Sequence, residues 1–113
     1  MTQNANTQVI DKLVDAYNAH DALAFADFFT ENASHGNLND TARQQGREAI
    51  YQRYLTVFTE FPDNHSDVVH RIVLDRFVVD HERVRRSPET EPFEVVAIYT
   101  FDAGLIQRLD FVR

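Results

Sequence analysis

Apolar residues recur at helical spacing over the first half of the chain and at strand spacing over the second. Val9, Ile10, Leu13, Val14 and Tyr17 repeat about every helical turn, which predicts an amphipathic helix over 7–19 with Thr7 as its N-cap. Asp21 is placed to cap a second, shorter helix with Leu23, Phe25, Phe28 and Phe29 on its apolar side. Gly46 precedes a third helical run, Ile50, Tyr54, Val57, Phe58 and Phe61, which Pro62 must stop. The segment 32–45 between the second and third helices is polar, and 34–38 reads as a short strand within it. After Pro62 the period falls to two. Segments 65–74, 77–85, 93–101 and 105–112 are rich in Val, Ile, Phe and Tyr, as strands require. Asp102, Ala103 and Gly104 form one hairpin loop, with Gly104 free to take positive φ, and Asp75-Arg76 forms another. Helices followed by an antiparallel meander predict an α+β fold.

Hairpin registers follow from the turns. With Asp75 and Arg76 in the loop, Leu74 faces Phe77, Ile72 faces Val79, His70 faces His81 and Val68 faces Arg83. The other face pairs Val73 with Val78 and Arg71 with Asp80, and sets Val69 opposite Glu82; the ion pair is expected at a wet surface. With 102–104 as loop, Phe101 faces Leu105, Tyr99 faces Gln107, Ala97 faces Leu109 and Val95 faces Phe111. The reverse side, with Val96, Ile98, Thr100, Ile106 and Val112, is too apolar for open water and predicts a homodimer contact. Three helices covering the first-named faces would enclose His70, His81, Arg83, Tyr99 and Gln107 among apolar neighbours, the composition of a small-molecule pocket.

Length and composition narrow the function. The chain has 113 residues, which fits a single domain over 1–113 with its core from about 7 onward. Its formal net charge is −7, which argues against nucleic acid or an anionic membrane as partner. It has no cysteine, so disulfides, thiol nucleophiles and Cys-ligated zinc are excluded. No apolar run reaches the ~18 residues of a membrane span, and the first residues lack the pattern of a secretory signal. A cytoplasmic protein with no cofactor and no metal is expected.

Particular stretches resemble a known family. Tyr17 to Asp21, reading Tyr-Asn-Ala-His-Asp, is similar to the end of helix one in SnoaL-like proteins. Gly46-Arg47-Glu48-Ala49-Ile50 is similar to the start of their third helix. Val78 to Val84, Ala97-Ile98-Tyr99 and Gly104-Leu105-Ile106 resemble their later strands. The resemblance implies the cone-shaped α+β barrel of the nuclear transport factor 2-like superfamily: three N-terminal helices on a strongly curved, mostly antiparallel sheet. That superfamily includes ketosteroid isomerase and polyketide cyclases. Aligned on Asn18 to Asp21, the isomerase's oxyanion tyrosine falls at Leu13, its general base at Asn37 and its protonated carboxyl at Ala97. None can do those jobs, so the isomerase catalytic set is absent. A pocket tyrosine of helix three does match, at Tyr54.

The candidate site combines both lines of reasoning. His81 and His70 are candidate catalytic bases, since imidazole titrates near neutral pH. Tyr17, Tyr54 and Tyr99 are candidate hydrogen-bond donors to a ligand carbonyl. His35 and Asn37 lie two apart and share a face, which is the pocket if that face is inward. Arg83 is a candidate for holding an acidic ligand bidentately. Asp80 and Glu82 alternate with His81 and are read as surface acids, and His20 and His65 as surface residues at element ends. The expected function is binding of a small, mostly apolar, polyketide- or steroid-like molecule, with acid-base chemistry of the isomerase, cyclase or dehydratase type. The alternatives are a non-catalytic ligand-binding protein and a dimeric interaction module.

Overall fold

A computed structural model describes residues 4–113. Helix α1 (Ala5–Asn18) starts ahead of the predicted point because Asn4, not Thr7, caps it. The Asn4 side chain accepts from the Asn6 amide at 2.7 Å, and Thr7 Oγ1 donates to the Asn4 carbonyl. Helix α2 (Ala22–Asp27) is capped by Asp21, which accepts from the Ala24 amide at 3.0 Å. It buries Ala22, Phe25 and Ala26 and leaves Leu23 exposed. Strand β1 (Phe29–Asn37) is longer than the predicted 34–38 and takes Phe29 out of the helix. A two-residue strand β2 (Gln44–Gln45) precedes α3 (Arg47–Glu60). Gly46 enters α3 at φ +94°, a conformation that L side chains rarely adopt. Then come β3 (His65–Leu74), β4 (Phe77–Arg85), β5 (Phe93–Asp102) and β6 (Leu105–Val112), close to the four predicted strands.

The strands form one curled, unclosed sheet in the order β2-β1-β6-β5-β4-β3. Neighbours are antiparallel except β1 and β6, which run parallel. The three helices pack on its inner face. Ile10, Leu13, Phe25 and Ile50 meet Val78, Ala97, Phe101 and Leu109 in a single core cluster. No helix of the described residues is long and apolar enough to cross a membrane.

The β3–β4 register matches the expectation from the turn to the His70–His81 pair, and the faces are the reverse of the expectation. Val78, Asp80, Glu82 and Val84 are buried toward the helices, whereas Ile72, Leu74 and Phe77 are exposed on the outer side. His70 and His81 therefore stand side by side outside the cone, and Arg83 is exposed with them. The reason is the Arg71–Asp80 pair. Arg71 Nε and Nη2 donate to the two Asp80 oxygens at 2.6 and 2.9 Å, and Nη1 donates to Asp11 of α1 at 2.7 Å. Asp80 is 0 % exposed, so the pair lies under the helix instead of at a wet surface. A charge whose oxygens are all engaged can be buried, and once it turns inward the alternation sends the apolar row outward. Past His70 the register shifts at Val69. Val68 stands opposite Glu82, not Arg83, and the buried Ser66 stands opposite Val84.

The second hairpin also shifts. Its turn is Ala103-Gly104, both at positive φ, so Asp102 faces Leu105 and Phe101 faces Ile106. An irregularity beyond Phe101 then sets Thr100 against Arg108 and Tyr99 against Leu109. The shift brings Ile106, expected on the outer face, to 0 % exposure in the core, and leaves Gln107 exposed. On the far side of the sheet, Arg43 ties β1 to β6. It donates to Ser34 Oγ, the Asn37 carbonyl and the Leu109 carbonyl at 2.6, 2.8 and 3.1 Å, and lies 2.9 Å from Asp110. Its stem crosses Gly36, where an added Cβ would stand 2.9 Å from Arg43 Cγ, so glycine is needed there. This tie holds β1 with His35 facing the helices.

Candidate active site

Between the helices and the inner face of the sheet lies a cavity of about 460 Å³. That volume suits a small organic molecule. Its wall combines aromatic and aliphatic side chains, with Leu13, Phe25, Val57, Val95 and Leu109 among the buried contributors, and polar groups that present at least as much surface. Three polar groupings interrupt this lining.

The first is His35 with Tyr54 and Gln44. His35 Nδ1 lies 2.8 Å from Gln44 Oε1 and its Nε2 lies 2.6 Å from the Tyr54 hydroxyl. A glutamine oxygen only accepts, so Nδ1 carries the proton and Nε2 accepts from Tyr54. Burial pushes the His35 pKa down to about 4, so the ring is neutral at pH 7. Tyr54 spends its proton on His35 and offers the cavity only an acceptor.

The second is Glu82. Ser66 Oγ donates to Oε1 at 2.9 Å, and the Tyr99 hydroxyl lies 3.4 Å from Oε2. Burial is the main cause that lifts the Glu82 carboxyl to about 7, and Asp80 nearby adds to it. A carboxyl poised near neutral pH can give or take a proton at little cost. Tyr99 is buried and held in its neutral form well above the usual phenol range.

The third is Tyr17, Asn64 and Arg86. Asn64 Nδ2 donates to the Tyr17 hydroxyl, and Arg86 Nη1 donates to Asn64 Oδ1 at 3.0 Å. His20 fixes this asparagine: its Nε2 donates to the Asn64 carbonyl at 2.7 Å while its ring stacks on Phe58. His20, expected at the surface, is thus half-buried and structural. Because Tyr17 accepts from Asn64, its own proton is available to a ligand. Of the three candidate tyrosines, Tyr17 alone has a hydroxyl proton without a protein acceptor among the described residues.

The cavity thus brings together Tyr17, His35, Asn37, Tyr54 and Tyr99 of the expected set. It does not include His81, His70 or Arg83. His81 Nε2 pairs with Glu94 on the outer face, and His70 is exposed beside the Val69 bulge. The positions aligned with the isomerase set hold Leu13, Asn37 and Ala97, which present neither a phenol nor a carboxyl to the cavity. Sequence reasoning missed Glu82 and its partner Ser66, because both depend on which face of β3–β4 turns inward. The available signal was Arg71 directly opposite Asp80: a self-neutralising pair is the one charged cross-strand pair a core can take.

A curled sheet under three helices, enclosing a cavity lined by apolar and polar groups together, defines a cone-type α+β fold. The chain belongs to the SnoaL-like domain family, whose model matches residues 10–109. An uncharacterised cystatin-fold protein from Novosphingobium aromaticivorans is 28% identical with a TM-score of 0.89, covering 98% of this chain and 100% of its own. A SnoaL-like protein of unknown function from Burkholderia thailandensis is 17% identical with a TM-score of 0.82, over 99% of this chain and 97% of its own. A candidate polyketide cyclase from Sinorhizobium meliloti is 21% identical with a TM-score of 0.79, over 93% and 94%. No curated protein matches the chain.

Proposed function

We propose that this protein binds a small, mostly apolar carbonyl compound in its cone and moves a proton on it, with Glu82 as the general acid-base group. The carrying observation is Glu82 itself, a carboxyl in an aromatic-walled cavity, oriented by Ser66 and lifted to about 7. In its ionised form Glu82 would take a proton from the carbon beside the carbonyl. Tyr17, with its free hydroxyl proton and its oxygen held by Asn64, would donate to the oxygen where negative charge develops. Tyr99, donating to Glu82, would steady the carboxylate. The SnoaL-like family and the resemblance to a candidate polyketide cyclase fit this chemistry.

The test is exchange of the α-protons of 2-tetralone in D2O, followed by NMR. The protein should accelerate exchange over buffer, with a rate that rises with pH through about 7 as Glu82 ionises. Glu82→Gln should lower it by about 10²–10⁴ and Tyr17→Phe by about 10²–10³, while His81→Ala leaves it unchanged. Exchange that survives Glu82→Gln refutes the assignment. Binding of 2-tetralone without exchange would make the cavity a carrier site.

The outer face supports self-association. Ile72, Phe77 and Val112 are exposed there beside the half-buried Val79, Val96 and Ile98. A homodimer covering this patch would bury more than about 1,000 Å². Ile98→Asp should shift sedimentation from twice the chain mass to the 13.1 kDa monomer; a wild-type monomer at micromolar concentration would count against it.

A further inference from the structure

Three of the chain's eleven basic residues, Arg53, Arg86 and Arg113, line the cavity. Arg53 and Arg113 are exposed and Arg86 half-buried, so they stand toward its rim. Among the described residues none has a carboxylate within ion-pair distance, as is also true of Lys12, Arg47, Arg76, Arg83 and Arg85; what sets these three apart is that they line one cavity. Glu82 is the sole acid among the cavity-lining residues. This convergence occurs on a chain whose net charge is −7, where acids to pair with are plentiful.

The guanidinium groups of Arg86 and Arg113 are also positioned. Arg86 lies over the rings of Phe61 and Phe93 at 4.8 and 5.2 Å, and donates to Asn64. Arg113 lies over the same Phe93 ring at 4.9 Å. Two cations gathered on one aromatic ring repel each other, and an anion between them removes that cost. Stacking itself uses no in-plane N–H donor, so those of Arg113, and those of Arg86 not given to Asn64, suit a two-oxygen anion. Phe93 and Phe111 continue from this rim along the wall, so an anion held there would have its attached body over aromatic surface.

We propose that the ligand is an organic carboxylate on a flat, aromatic or polyene body, its charged end received by Arg86, Arg113 and Arg53 and its body entering the cone. This rests on the reading of the cavity as a small-molecule site and narrows it to acids. It also transfers the anion-holding role expected of Arg83 to residues on the inner side. The carboxylate would fix which way round the ligand enters, its charged end lying beside the Asn64 side chain that Arg86 and Tyr17 share and its body running on into the cone.

The experiment compares 2-naphthoate and anthracene-2-carboxylate with their methyl esters by calorimetric titration at low and moderate salt. The acids should bind at least ten-fold more tightly than the esters, and that advantage should shrink as salt rises. Arg86→Met and Arg53→Met should each remove most of the acid's advantage over its ester. Arg83→Met should change nothing. Arg86→Lys, which keeps the charge and loses the fork, should keep part of it and guards against a folding defect in the methionine variant. Equal binding of acid and ester, or an advantage that survives both methionine variants, overturns the inference while leaving the cavity a ligand site. Binding of neither overturns the cavity reading and this inference with it.

Discussion

Arg71→Leu should destabilise the fold by about 3–5 kcal/mol, measured by urea denaturation near neutral pH. The loss follows from what it leaves behind. Asp80 is 0 % exposed and takes both of its bonds from Arg71, so the leucine variant strands a carboxylate under α1. The double variant Arg71→Leu with Asp80→Leu should regain most of that loss, because it removes both charges together and leaves an apolar contact. Asp11 is exposed and keeps water as a partner, so its share of the effect is small. A single variant within 1 kcal/mol of wild type would mean that this pair does not hold the inward face of β3–β4. The Arg71–Asp80 pair would then fail as the cause of the reversed orientation.

Glu82→Gln should do the opposite to stability while slowing proton transfer by about 10²–10⁴. The folded-state pKa of Glu82 is raised from 4.5 to about 7, so its contribution is whole below 4.5 and is lost as pH rises through 7. Glutamine has no charge to bury and escapes that loss. At pH 8 the variant should be more stable than wild type by roughly 3 kcal/mol, and at pH 4 about equal to it. His35 acts in the other direction. Its pKa is lowered from 6.5 to about 4, so its contribution is whole above 6.5 and is lost as pH falls toward 4. In the wild type the two slopes oppose each other between 4.5 and 6.5 and leave a plateau. The glutamine variant should expose the His35 slope alone, a stability that climbs from pH 4 to 6.5 and then stays level. Denaturation at pH 4, 5.5, 6.5 and 8 reads both curves, and a variant no more stable than wild type at pH 8 would contradict the buried, titrating carboxyl. A site that costs stability at working pH is the usual sign of a group kept for chemistry.

Element identity was legible because helical and strand periods differ, and because Asp21, Pro62 and Gly104 mark ends by local chemistry. The helix-one cap was misplaced by a few residues, since Asn4 and Thr7 are both capping types and only the backbone tells them apart. Strand β1 was partly hidden: its Glu31, Asn32 and Ser34 are polar, and it owes its place to pairing with β6 and to the Arg43 tie. The site was less legible than the fold. Period two sorts residues into two faces but does not say which is inside, and the choice was made on apolar content alone. That rule chose the row with Leu74, Phe77 and the two histidines. The buried row holds a satisfied ion pair and a carboxyl, which a residue-by-residue hydropathy cannot credit. Tyr17, Tyr54 and Tyr99 were found because helix and strand periods place them independently of that choice. Their different roles follow from hydrogen-bond direction, which requires coordinates.

The bulge at Val69 has a consequence beyond the site. β3 is the last strand of the sheet, ten residues long, with one row of N–H and C=O groups unpaired and with Ile72 and Leu74 exposed along it. Such an edge is a template on which a foreign strand, or another copy, can grow a fibril. The extra residue at Val69 breaks that template into two short pieces of differing register, and the inward-pointing charge of Arg71 penalises any strand that would straighten it. Pairing that took up Val69 without a bulge would restore a continuous edge and at the same stroke set Ser66 opposite the exposed Arg85, away from Glu82, since a one-residue slip exchanges the faces. One inserted residue thus guards the protein against aggregation and sets the partner of its buried carboxyl.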